Sequence, residues 1–337
     1  MRDRPGATPV GRSKEAPVRH PRPAGTNVVL VLIALGALAR PSLAAATCTR
    51  SAALDAPTTL VLSGGGVKGA WEAGVAATLV RRGLAPRLVA GSSAGALNAV
   101  LLADGRVDRL DALWRTLRRE QVYTLRPSVF FAGLLPGWLT LPALDAAGSV
   151  FDPRPLRELV AASIDLDRIR ASSTRLLVIT SDLARRQTRL FDNRTVSVDA
   201  LMAATAVPGA FPPVDVEGTL LVDGGLASRA PVLEALEADP SVRRALVLMS
   251  YAPDEQGARP SRLRRALEEA FELAMIHQIR RDTELARLKY PAVDVQLLTP
   301  SAPLRVRPLE FDGDAIARLL ELGAADAAAC LAAWARG

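Results

Sequence analysis

Residues 58–69, TTLVLSGGGVKG, and residues 87–103, RLVAGSSAGALNAVLLA, carry one pattern twice. A short apolar run ends in small residues, and an apolar stretch rich in Ala and Leu follows. The first part reads as a β-strand buried on both faces and the last as a helix. Glycine and serine between them let the chain reverse within a few residues. The same alternation continues outward. Val67–Arg82 reads as a helix stopped by Gly83, Ala96–Ala103 as a second, and Val107–Arg119 as a third, with Leu110, Leu113, Trp114 and Leu117 at helical spacing. Pro155–Ser163, Ser197–Thr205, Ser261–Lys289 and the Ala-rich Asp314–Ala335 read as further helices. Leu176–Thr180, Thr188–Phe191, Thr219–Val222, Ala245–Ser250 and Val293–Leu298 read as strands. Strands alternating with helices predict one α/β domain over residues 50–335, built on a mainly parallel sheet covered on both faces.

Composition narrows the chemistry. The 337 residues are 49% hydrophobic with a mean hydropathy of +0.17, which excludes a disordered chain. Two Cys exclude a disulfide scaffold and a Cys-rich zinc site, and two His, His20 and His277, leave little for a His-rich metal centre. The net charge is +7, but residues 1–47 hold seven Lys/Arg against two acids, leaving +2 for the body. No basic stripe interleaved with aromatics is present, so no nucleic-acid partner is expected.

The leader has three parts. Met1–Asn27 is basic, Val28–Ala39 is an uncharged apolar run of 12, and Ala44-Ala45-Ala46 supplies small residues for cleavage. That is the pattern of a secretory signal, too short in its apolar part to span a bilayer. The expectation is a signal peptide over residues 1–46 and an exported chain, periplasmic, outer-envelope or secreted. A lipid anchor at Cys48 fits poorly, because Thr47 precedes it and no Leu stands three residues before it. In an oxidising compartment Cys48 and Cys330 are a candidate disulfide pair, with two free thiols as the alternative.

Three motifs carry chemistry. Gly91-Ser92-Ser93-Ala94-Gly95 fits the G-x-S-x-G turn that lifts a serine hydroxyl off the end of a strand. The Ala94 N–H then points from a helix start at a developing oxyanion. Alone, the same five residues also fit an ordinary Gly/Ser loop. Gly64-Gly65-Gly66-Val67-Lys68-Gly69 follows the first strand, and consecutive glycines turn their N–H groups inward to hold an anion. A dinucleotide or phosphate loop is the competing reading. Against it, the next strand ends in the serine turn rather than a ribose-binding acid, and Lys68 precedes Gly69 rather than Ser or Thr. Lys68 steadies the loop or faces solvent. Asp223-Gly224-Gly225 ends a strand, where α/β sheets place functional groups; a plain turn aspartate is the bland alternative.

Counting assigns the base. A Ser-His-Asp triad needs a histidine, and the processed chain has only His277, inside the long helix Ser261–Lys289 on or beside its buried stripe. A helix interior is a poor place from which to reach a strand-end serine. Asp223 is then the best-placed base for Ser93.

Together the motifs resemble the patatin-like phospholipase family, over most of the body and in the same order. Leu62–Gly69 resembles its glycine-rich oxyanion motif, Gly91–Gly95 its nucleophile elbow and Asp223–Gly225 its catalytic Asp-Gly-Gly/Ala box. Ala204–Pro213, Phe151–Arg157 and Thr180–Leu183 are similar to weaker family blocks. Two departures stand out: Arg186 where a Gly is usual, and Ala230 where an Asn is usual. The resemblance implies a three-layer α/β/α fold and a Ser93–Asp223 dyad acting on lipid acyl esters. It also implies an oxyanion hole at Gly64, Gly65, Gly66 and Ala94, and a lipid or membrane-surface substrate without cofactor or nucleotide. A soluble-ester esterase or thioesterase, or a catalytically silent membrane-associated relative, are the alternatives.

One segment breaks the alternation. Tyr123–Phe151 holds five of the chain's fourteen aromatics in 29 residues, with Pro127, Pro136 and Pro142. It reads as a long irregular loop, either a lid or lipid-facing wall or a loop packed on the core.

Overall fold

The apolar run Thr58–Leu62 forms β1, buried along its whole length. The computed structural model describes residues 56–335 apart from 254, 256 and 258, without the side chains of residues 137, 138, 141 and 264. The expected signal peptide and Cys48 lie outside the described residues. From β1 the chain turns through Gly66–Lys68 into α1, Gly69–Arg81. Leu88–Gly91 (β2) runs into Ala94–Ala103 (α2), and Val107–Thr116 (α3) turns Leu110 and Trp114 inward. Then come Thr124–Leu125 (β3), Pro127–Ala132 (α4), Gly137–Ala147 (α5) and Phe151–Asp152 (β4). Arg154–Ser163 (α6) and Leu166–Ala171 (α7) lead to Arg175–Asp182 (β5) and Gln187–Asp192 (β6). Val198–Ala204 (α8), Val214–Val216 (β7), Thr219–Asp223 (β8) and Val232–Ala238 (α9) follow. Arg244–Leu248 (β9), Leu263–Lys289 (α10), Asp294–Leu298 (β10) and Gly313–Trp334 (α11) complete the described fold.

The main sheet runs β10-β9-β1-β2-β5-β8-β7, with β6 on the other edge of β5. β10, β9, β1, β2 and β5 are parallel, while β6 and β8 lie antiparallel to β5 and β7 antiparallel to β8. Alternation along the strands builds two cores. Leu60 and Leu62 of β1, Val89 of β2 and Val178 of β5 face one side with α1, α2 and α11. Val61, Ala90, Leu177 and Ile179 face the other with α9 and α10. The result is the expected α/β/α arrangement on a mostly parallel sheet. At the β5–β6 turn Arg186 holds φ 54°, a left-handed conformation that favours glycine and costs other residues roughly 1–2 kcal/mol.

The aromatic segment is not an irregular loop. β3 and β4 pair as a small ribbon that closes it, Thr124 opposite Asp152 and Leu125 opposite Phe151. Inside the ribbon lie α4 and α5. Pro127 starts α4 at the position where a missing N–H is harmless and a fixed φ favours the helix. On the last helix Cys330 is buried and disulfide-bonded.

Candidate active site

The sheet brings two motifs together by running two strands at each other. β2 pairs with β5 in parallel as far as Gly91 opposite Val178. β8 pairs with β5 in the opposite sense, with Asp223 opposite Thr180. β6 already occupies the other edge of β5 across both positions. β2 and β8 therefore share one edge, and their C-terminal ends meet. Ser93 lies just past one end and Asp223 closes the other. A single segment clamps both, because Ser93 N–H donates to the Ala204 carbonyl at 3.1 Å and Asp223 N–H to the Ala206 carbonyl at 3.0 Å. The Ser181 hydroxyl adds a bond to the Asp223 carbonyl at 2.9 Å.

Ser93 sits at φ 55° and ψ −132°, a strained conformation for a non-glycine residue. The turn closes only with glycine at its ends. A Cβ at Gly91 would stand 2.2 Å from the Gly95 carbonyl oxygen, and one at Gly95 would stand 2.4 Å from that of Leu62.

The glycine-rich loop packs onto this turn. Gly64, Gly65 and Gly66 all take positive φ. Glu72 of α1, fully buried, anchors the loop by accepting from Ser63 N–H at 2.9 Å, the Ser63 hydroxyl at 2.7 Å and Gly64 N–H at 2.9 Å. Burial pushes the Glu72 carboxyl up to about 8 despite these donors and the nearby Arg229 charge. Gly64 thereby departs from the expected oxyanion role, since its N–H is spent on Glu72. The N–H groups of Gly65, Gly66 and Ala94 have no acceptor among the described residues, and all three residues line a cavity with Ser93. Lys68 is buried, pairs with Glu272 of α10 at 3.1 Å and lies 4.1 Å over the Tyr251 ring. It steadies the loop rather than facing solvent.

Asp223 is buried. Its Oδ1 accepts the Gly225 N–H at 2.8 Å, which shapes the turn through Gly224. Burial raises its carboxyl above the ordinary aspartate value of 3.8, opposed by the Arg229 charge, the Gly225 N–H and the neighbouring Ser93 hydroxyl. Oδ2 is buried and has no hydrogen-bond partner among the described residues. Arg229, three residues beyond Leu226, is also buried and lies beside Gly225 and Gly65.

The cavity has a volume of about 960 Å³. Leu97, Leu101, Leu113, Trp114, Leu156 and Val160 from α2, α3 and α6 make one side apolar. Tyr123, Phe151, Phe211 and Phe311 form an aromatic wall, with the Tyr123 and Phe151 rings 4.3 Å apart. Part of the aromatic segment thus lines the cavity, while Phe130 (56% exposed) and Phe131 (63% exposed) of α4 face outward. His277 is exposed on α10 and does not line the cavity, nor is it on the buried stripe. Among the described residues no cluster of His, Cys, Asp or Glu is arranged to hold a metal ion.

A family model for patatin-like phospholipase matches residues 60–236, slightly more than half of the chain. Uncharacterized NTE family proteins of Mycobacterium bovis and Mycobacterium tuberculosis are each 28% identical over 174 residues, 51% of this chain and 44% of theirs. The match therefore spans less than half the length of those relatives. Among solved structures, VipD from Legionella pneumophila aligns with a TM-score of 0.47 at 16% identity, over 86% of this chain and 70% of VipD. ExoU from Pseudomonas aeruginosa, solved with SpcU, aligns with a TM-score of 0.36 at 20% identity, over 80% of this chain and 52% of ExoU.

Proposed function

Since this chain belongs to the patatin-like phospholipase family, we propose that it is a serine lipid acyl hydrolase cleaving the acyl esters of phospholipids or lysophospholipids. One observation supports the reading: Ser93, strained at a strand-end turn, lines an apolar cavity with three unpaired N–H groups, and the segment whose Ala204 carbonyl holds its N–H also holds that of the buried Asp223 through Ala206. Ser93 is the nucleophile and Asp223 its general base.

The Ser93 Oγ attacks the acyl carbonyl carbon while its proton passes to Asp223. A free aspartate is a weak base, and burial that raises the Asp223 pKa brings it closer to the strength the transfer needs. Negative charge gathers on the former carbonyl oxygen, which the N–H groups of Gly65, Gly66 and Ala94 receive. Losing one such donor typically costs about 10²–10³ in rate. Collapse of the tetrahedral intermediate breaks the ester C–O bond, and the departing alkoxide takes the proton back from Asp223. Water then attacks the acyl-Ser93 ester with Asp223 again accepting a proton, the acyl C–Oγ bond breaks, Asp223 returns that proton to the Ser93 Oγ, and the fatty acid leaves. The apolar side of the cavity takes the acyl chain, and the aromatic wall borders its entry.

The test is product analysis on a panel of diacyl and lysophospholipids, wild type beside Ser93→Ala. Free fatty acid from the wild type alone supports the reading. Identical products from Ser93→Ala, or none from the wild type on any lipid, would overturn it. A fluorophosphonate probe should label wild type at Ser93, which a nucleotide-binding protein would not allow.

A further inference from the structure

Arg229 is 4% exposed, yet its guanidinium makes no hydrogen bond or ion pair with any described residue. Its backbone is fixed, with the N–H donating to Gln278 of α10 at 3.1 Å. Nη1 lies 2.7 Å from the place a Cβ on Gly225 would take, and Nη2 lies 3.4 Å from that point on Gly65. The group therefore stands between the Asp223 turn and the glycine-rich loop, and it lines the Ser93 cavity. A guanidinium keeps its charge and offers five donors in a planar fork. Proteins seldom bury such a group without partners. The other cations nearby are engaged: Lys68 with Glu272, and Arg307 with Glu268 and Glu310.

The setting defines the missing partner. An anion reached from the cavity would use the donors that Asp223 beside it leaves unbonded, and a fork of parallel N–H donors matches phosphate oxygens. Asp223 lies close enough to feel the Arg229 charge, and its carboxylate, when ionised, would repel a second full negative charge on the ligand. A phosphodiester, with one charge, fits better than a phosphomonoester. In a glycerophospholipid that group lies a few bonds from the ester, as Arg229 lies one loop away from the oxyanion N–H groups. We propose that Arg229 is an anion-binding subsite of the Ser93 cavity, holding the phosphodiester of the phospholipid or lysophospholipid whose ester is cleaved. The proposal rests on the acyl hydrolase reading for its substrate and on the geometry of Arg229 for its site.

Two measurements test it. In the first, kcat/KM for a lysophosphatidylcholine is divided by that for a monoacylglycerol of the same chain, in wild type, Arg229→Gln and Arg229→Lys. The ratio should fall tenfold or more in Arg229→Gln, mainly through KM, and recover in part in Arg229→Lys. An unchanged ratio, with both substrates losing equally, means that Arg229 acts only through Asp223 and overturns the proposal. In the second, dodecylphosphocholine and dodecyl maltoside are titrated into Ser93→Ala with and without Arg229→Gln. Adding Arg229→Gln should weaken dodecylphosphocholine tenfold or more and leave dodecyl maltoside within twofold. Inorganic phosphate binding as tightly as dodecylphosphocholine would overturn the lipid assignment. Should Arg229→Gln fail to fold, Arg229→Met is read by the same criteria. A wild type that hydrolyses no ester sinks the hydrolase reading, while the titration still decides on Arg229.

Discussion

Around Ser93 an added methyl group has nowhere to go. On α4, in the segment between Tyr123 and Phe151 of the cavity wall, two phenylalanines stand in the open. The first region is set by backbone contacts: a Cβ on Gly66 would lie 2.0 Å from the Pro308 carbonyl oxygen, and Gly64, Gly91 and Gly95 are as tightly held. Its backbone is held in place by the Glu72 bonds to the loop and by the Ala204 and Ala206 carbonyls that bind the N–H groups of Ser93 and Asp223. The second region exposes Phe130, Phe131, Leu134 and Leu135. Scattered apolar residues on a surface are ordinary, and here four fall within six residues. The contrast separates a rigid part, on which the proposed chemistry depends, from a part that offers exposed apolar area.

The comparison breaks first at the rigid end. Ser93→Ala and Asp223→Asn should each lower hydrolysis by about 10⁴ or more, as removal of a nucleophile or its base does elsewhere. Circular dichroism should show both variants folded. Next, Gly66→Ala should destabilise by about 3 kcal/mol, because the overpacked atom is backbone and the φ of 61° is itself unfavourable for alanine. A thermal melt reads this, and an unchanged midpoint would show that the loop yields more than its contacts imply. Third, pH sharpens the role of Asp223. Protonation removes the base, so kcat/KM should fall as pH drops, about tenfold per unit below the carboxyl pKa. Because burial holds that pKa above 3.8, the limb should begin above the ordinary aspartate range. A profile flat down to pH 4 would contradict a buried aspartate base.

The soft end predicts smaller effects. Phe130→Ser with Phe131→Ser should change stability by less than about 1 kcal/mol, since both side chains are mostly exposed. Turnover of a long-chain phospholipid should drop several-fold while that of a short soluble ester holds. Equal losses on both substrates would assign the segment to folding. Smallest of all, His277→Gln should keep activity within about twofold, because that side chain is exposed and outside the cavity wall.

What could be read in advance follows from where constraint is written into side chains. Tight turns demand glycine, so the loop, the elbow and the Asp223 box were legible, and buried parallel strands announced themselves as apolar runs. Glu72 was not, because a lone acid on an apolar helix looks like a solvated one until α1 is docked against the loop. The clamp by Ala204 and Ala206 uses backbone carbonyls, which leave no trace in residue type. Arg229 stands just before Ala230, where an Asn is usual, and its burial depends on α10, far away in the chain. Gly64 looked equivalent to its neighbours; only the Glu72 carboxylate distinguishes it. The helices α4 and α5 were hidden by prolines that mark loops as often as helix starts. Arg186 carries a left-handed turn without the residue that usually announces one.

The meeting of β2 and β8 on one edge of β5 also makes that strand a ruler. Gly91 is registered at Val178 and Asp223 at Thr180, a step of two residues, or roughly 6.7 Å along the strand. Two is one full period of a pleated strand, so both partners are delivered to the same side of the sheet. Adding or removing one residue of β5 between those positions would send the carboxylate to the opposite side, whatever else were kept. The connection from α2 to β5, about seventy residues, can lengthen or change without altering that spacing, whereas the one from β5 to β8 carries the Ala204 and Ala206 carbonyls that hold both residues. Diversity in lids and walls is thus compatible with an unvarying centre, because the measurement is made by a strand that neither residue belongs to.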